Sequence, residues 1–139
     1  MPLTLNYLSF VTADLPRTLA FYRALGLPIP DGAHVNASGE PEDHVEVAQG
    51  GLRIAWETEA LARQLDPDWT PPSGQRMGIA FQAGSSAEVD ETCERLSALG
   101  FAVTTAPYDA FWGQRYATLR DPDGNGIDVF AWLQQAGNV

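Results

Sequence analysis

The chain has 139 residues, 45% hydrophobic and 19% charged, enough for one globular domain with a real core and unlike a disordered segment. Its net charge of −10 argues against nucleic acid and anionic membranes as partners, and no apolar run reaches the length of a membrane span. All eight basic residues are arginine, which excludes Schiff-base catalysis and a lysine general base.

Residues 5–11 are expected to form a strand. Asp14 is placed to cap a helix whose first turn tolerates Pro16, whose apolar stripe is Leu15, Leu19, Tyr22 and Leu25, and which Gly26 ends. Three strands are expected next, near Ile29, over 44–48 and over 52–57. Residues 58–76 hold Asp66-Pro67-Asp68 and Pro71-Pro72-Ser73-Gly74, a linker composition with room for a short helical turn over 59–65. A strand over 77–83 follows. Ser85 and Glu88 then have capping-box spacing, before a stripe of Val89, Cys93, Leu96 and Leu99 and a stop at Gly100. Strands over 102–105, 114–120 and 127–132 complete the chain. The last two are joined by Asp121-Pro122-Asp123-Gly124-Asn125-Gly126, where proline presets φ and glycine accepts the positive φ of a tight reversal.

The order strand, helix, three strands therefore occurs twice. Both helices end in Ala-Leu-Gly, at Ala24-Leu25-Gly26 and Ala98-Leu99-Gly100, and Ala55-Trp56 echoes Ala131-Trp132. The reading is an α+β domain over the whole chain, with one β-α-β-β-β module at about 4–58, a linker at about 59–75 and a second module at about 76–133.

Several residues invite a chemical role. Asp128 lies inside a strand, where a carboxylate must face water or find a partner. His34 and His44 flank a polar loop at no compact ligand spacing, and are expected to be exposed. Cys93 sits on a helical stripe and reads as a small buried hydrophobe rather than a nucleophile. As the single cysteine it forms no internal disulfide. That agrees with a reducing compartment, and the N-terminal residues show no signal-peptide core, so a cytoplasmic location is the expectation.

Leu5-Asn6-Tyr7, then Asp14-Leu15-Pro16-Arg17-Thr18-Leu19-Ala20-Phe21-Tyr22 and Leu25-Gly26, resembles the opening of the vicinal oxygen chelate superfamily. That group includes glyoxalase I, extradiol dioxygenases, and fosfomycin- and bleomycin-resistance proteins. Gly78-Ile79-Ala80-Phe81 is similar to the opening of its second module. Trp112-Gly113, Arg115 and Asp121-Pro122-Asp123-Gly124-Asn125 are similar to its closing signature. The resemblance implies an open, eight-stranded, barrel-like cup that holds the ligand, and a homodimer. Metal-using members bring one ligand from each of four strands, usually two histidines and two glutamates, and the ion acts as a Lewis acid. Here those positions fall on Tyr7, Gly78, Asp128, and Arg53 or Ala55 by register, with Glu57 further along the same strand face. Two carboxylates and a phenol suit Mg²⁺ or Ca²⁺ weakly and a transition metal poorly, so neither a metal site nor a cofactor is expected.

Without a metal the cup becomes a pocket for a small organic ligand. Its candidate lining is Tyr7, Trp56, Phe81, Trp112, Arg115, Tyr116 and Asp128, with Phe111 and Phe130 also available. The alternative is that these aromatics are ordinary core. Arg115 or Arg120 would meet a ligand carboxylate or pair with Asp128. Asp128 and Glu57 are the candidates for general acid and base. The expected function is small-molecule binding of the bleomycin-resistance type. The alternatives are a glyoxalase-like lyase or isomerase, or a dioxygenase-like enzyme, using a reduced carboxylate site, and a scaffold dimer with a vestigial cup.

Overall fold

The structure, a computed structural model, describes residues 2–75 and 77–133. Its contacts divide the chain between Ser73 and Gly74, inside the proline-rich linker, into two compact units. Among the described residues there are seven strands in two sheets, three helices, and no helix long and apolar enough to cross a membrane.

The first unit runs β1 (Tyr7–Thr12), α1 (Leu15–Ala24), β2 (His44–Gln49), β3 (Leu52–Thr58) and α2 (Glu59–Leu65). The Asp14 carboxylate caps α1 by accepting from the Arg17 N–H at 3.2 Å, and Gly26, with φ of +111°, takes the chain out of the helix. The sheet order is β1-β3-β2, with β1 parallel to β3 and β2 antiparallel to it. Gly50 and Gly51 both have positive φ, which lets a two-residue turn join β2 to β3. The short helical turn read in the linker is α2, capped by the Thr58 hydroxyl, which accepts from the Leu61 N–H at 3.2 Å.

The strand expected near Ile29 does not form. Pro28 and Pro30 flank that residue, and proline brings no N–H to a ladder. The segment is tied down instead by Arg23, whose guanidinium donates to the carbonyls of Ile29 and Pro30, each at 2.8 Å. Among the described residues seven strands therefore stand where eight were expected, and neither sheet closes on itself.

The second unit runs β4 (Ile79–Gln82), α3 (Ser86–Ala98), β5 (Ala102–Ala110), β6 (Gln114–Arg120) and β7 (Gly126–Trp132), in the sheet order β4-β7-β6-β5. Ser85 caps α3 through the Glu88 N–H at 3.1 Å, and the Glu88 carboxylate reaches back to the Gly84 N–H at 2.6 Å. Val89, Cys93 and Leu96 are buried as the stripe requires, but Leu99, at the helix end, is 54% exposed. The reversal between β6 and β7 is built on Asp121. Its Oδ1 accepts from the N–H groups of Asp123 and Asn125, at 3.0 and 2.8 Å, and its Oδ2 from the Asn125 side chain at 2.8 Å. That buried carboxylate is thus satisfied within its own turn.

Candidate functional site

Each sheet has one face covered by a helix and one left open. In the second unit α3 covers the face carrying Ile127, Val129 and Ala131 of β7 and Ala117 and Leu119 of β6, all buried. Strand alternation sends Tyr116, Thr118, Asp128, Phe130 and Trp132 to the open face. There the Tyr116 hydroxyl donates to Asp128 Oδ2. Asp128 Oδ1 makes no hydrogen bond among the described residues. Burial first, and then the hydrogen bond and negative charge of Asp128, push the Tyr116 phenol up to about 12, so it remains a proton donor at neutral pH.

Aromatic rings surround this pair. Trp112 meets Tyr116 edge-on with ring centres 5.2 Å apart, Tyr108 and Phe111 meet Trp112 at 6.4 and 5.1 Å, and Phe130 meets Trp132 at 6.1 Å. The Trp112 indole N–H is steadied by Gln114 Oε1 at 2.7 Å. Trp132 is 62% exposed and Phe111 97% exposed, an amount of wet aromatic surface that a domain core would not leave.

In the first unit α1 covers the face of Phe10, Val45, Val47 and Trp56. Phe10 stacks on Trp56 there and Tyr22 packs tilted against both, with ring centres 5.2 to 6.1 Å apart. The open face carries Tyr7, Arg53, Glu57, His44 and Glu46. The Arg53 guanidinium lies 4.7 Å from the centre of the Tyr7 ring and pairs with Glu46 at 3.2 Å, and Glu46 also meets His44 at 3.2 Å. Burial, then Glu57 and Glu46, raise the Tyr7 phenol, opposed by Ser9 and Arg53.

The sequence profile of the Glyoxalase/Bleomycin resistance protein/Dioxygenase superfamily matches residues 4–129. The chain belongs to this superfamily. Among solved structures it is similar to a glyoxalase/bleomycin resistance protein/dioxygenase from Nocardioides, with 26% identity and a TM-score of 0.71 over 98% of this chain and 87% of that one. It is similar to a lactoylglutathione lyase from Agrobacterium tumefaciens, with 25% identity and a TM-score of 0.63 over 94% of this chain and 95% of that one. A superfamily enzyme from Burkholderia phytofirmans PsJN shares the fold, with 22% identity and a TM-score of 0.74 over 92% and 98% of the two chains. No curated protein matches significantly.

Three of the side chains expected to line the superfamily pocket do not lie on an open face. Trp56 is fully buried against α1. Phe81 is paired in register with the buried Val129, which puts it on the helix-covered face. Arg115 also points to the helix side, where its guanidinium is shared between Asp90 at 3.0 Å and Asp109 at 3.1 Å. Two hydrogen bonds to carboxylates raise it further, so it is no free partner for Asp128. The echo of Ala55-Trp56 in Ala131-Trp132 is out of phase: Trp56 is core, while Trp132 is on the open face.

Tyr7, Trp112, Tyr116 and Asp128 do lie on open faces, as does Glu57, which enters no ion pair among the described residues. Glu57 belongs to the first unit and Asp128 to the second. Sequence reasoning missed Tyr108, because the strand expected over 102–105 runs on to Ala110, and missed Glu46, whose alternation with Val45 and Val47 was the available signal.

None of the positions that the resemblance marks as metal ligands carries an imidazole. Tyr7 has a guanidinium against its ring, Gly78 has no side chain, and Asp128 is held by Tyr116. Among the described residues no three His, Cys, Asp or Glu side chains gather closely enough to hold an ion.

Proposed function

We propose that this superfamily member binds a small planar organic molecule on the open face of its second unit and does not use a catalytic metal. The observation that carries the reading is the Tyr116–Asp128 pair set among exposed aromatic rings. Trp112, Phe130 and Trp132 supply flat apolar surface for stacking, worth roughly 0.5–1.5 kcal/mol per ring pair beyond simple burial. Asp128 Oδ1 supplies an acceptor for a ligand N–H, and its negative charge favours a cation. Tyr116 holds that carboxylate in one orientation, which reduces the ordering cost of binding. The acidity of the whole chain supports a cationic rather than an anionic ligand.

Tryptophan fluorescence tests the proposal, with 9-aminoacridine, a planar cation, as the first probe. Saturable quenching is expected, weakened about tenfold by Asp128→Asn and by Trp112→Ala. Quenching that is linear with probe concentration, or an affinity in both variants equal to that of the wild type, refutes the site. The competing reading is a metal-assisted lyase, favoured by the likeness to the lactoylglutathione lyase. A divalent ion that stabilises the protein and supports turnover would replace the binding proposal with that one.

A further inference from the structure

The other side of the second unit carries a groove of about 750 Å³ between α3 and β5. It exists because β5 leaves its ladder. The register with β6 shifts between Val103 and Thr105 and again between Thr105 and Tyr108, and neither Ala106 nor Pro107 has a partner on β6. The helix contributes Asp90, Glu94 and Ser97 to the lining, and the strand Val103, Ala106 and Pro107. Cys93 lies beneath them, buried, with its thiol pushed up by desolvation and then by Asp90. It is therefore an apolar surface there and not a nucleophile.

Charge decides what the groove accepts. Arg115, the one cation among its described lining residues, is already shared between Asp90 and Asp109. Glu94 forms no ion pair among the described residues. The described lining sets one guanidinium against two carboxylates, Asp90 and Glu94, and Asp109 draws on the same guanidinium from outside it, so the groove is left negative over a surface that is otherwise small and apolar. We infer that this groove is a second binding site, for a small organic cation with a short apolar body. The volume lies in the range of small-molecule sites. Two other occupants fit worse. An extended peptide would have to pair with the outer edge of β5, where Pro107 offers no N–H and the bulge breaks the edge. A second copy seated symmetrically would set Asp90 and Glu94 against their own counterparts.

The test is an amide NMR titration of the whole chain with 4-ethylbenzylamine, protonated at pH 7, against neutral 4-ethylbenzyl alcohol. Saturable shifts are expected at Glu94, Ser97 and Ala106, with the alcohol clearly weaker. Glu94→Gln, an exposed position, should weaken the amine about three- to fivefold while leaving the alcohol unchanged. Ser97→Trp, also exposed, fills the groove and should abolish both sets of shifts. Equal affinity for amine and alcohol, or shifts confined to the Tyr116–Asp128 face, would overturn the inference. So would probe-free broadening of α3 and β5 signals that grows with protein concentration, which reports a second copy. The inference stands apart from the planar-ligand proposal, because the two sites perturb different residues.

Discussion

Replacing Tyr116 by phenylalanine removes one hydroxyl and, with it, the donor that orients Asp128. A phenol raised from 10.0 to about 12 binds its proton more tightly in the folded state than in the unfolded one. Folding is therefore favoured by the full amount below pH 10, and the gain disappears as pH rises through 10 to 12. The rise corresponds to at most about 3 kcal/mol, and water at this partly exposed hydroxyl reduces that to about 1–2 kcal/mol. Composition makes the window unusually clean. With no lysine in the chain, only tyrosines and the single cysteine titrate between pH 9 and 12, and the variant shares all of these but one. Urea unfolding of both proteins at pH 8 to 12 is the assay. Wild type should be more stable than Tyr116→Phe by about 1–2 kcal/mol at pH 8, and the two should converge by pH 12. Parallel curves across that range would show that the hydroxyl and the carboxylate are not coupled in solution.

Three further outcomes follow from the same structure. Trp56→Ala should cost about 3–5 kcal/mol, whereas Trp56→Phe should cost far less, because the buried indole N–H has no hydrogen-bond partner among the described residues to lose; chemical denaturation separates them. A Cβ on Gly126 would run into the Gln75 side chain, which accepts from the Gly126 N–H at 3.1 Å and donates to its carbonyl at 3.3 Å. The end of Arg120, with Nη1 2.9 Å from that Cβ, must give way as well, and since both side chains are flexible Gly126→Ala should destabilise by no more than about 1 kcal/mol, and by less in a Gln75→Ala background, a coupling that a double-mutant cycle measures. Treatment with a chelator followed by Mn²⁺, Ni²⁺, Zn²⁺ or Mg²⁺ should leave Tm within about 1 °C, since an ion that binds only the folded state must raise it. A rise of several degrees with one ion would restore the metal reading.

Local chemistry made much of the fold legible. Asp14 and Ser85 mark the helix starts, Gly26 and Gly100 turn the chain out with positive φ, and the Asp121 turn closes on its own hydrogen bonds. These signals act over a few residues, so they survive being read one segment at a time. The strand expected near Ile29 is absent because two prolines flank that residue, and β5 outruns the expected 102–105 because its register shifts let it continue past Pro107.

Alternation along β6 and β7 already grouped Tyr116 with Thr118, and Asp128 with Phe130 and Trp132, because side chains in a strand must point to opposite sides in turn. Alternation defines two sets but does not say which one a helix will cover. That was settled by packing between elements: Trp56 against Tyr22 of α1, and Arg115 against Asp90 of α3. It moved both residues off the faces where a ligand was expected. The sequence by itself determined the order of the helices and of most strands, the helix ends and the grouping of strand residues by face. Only the tertiary structure decided which face stays open, because that choice depends on contacts between residues far apart in the chain.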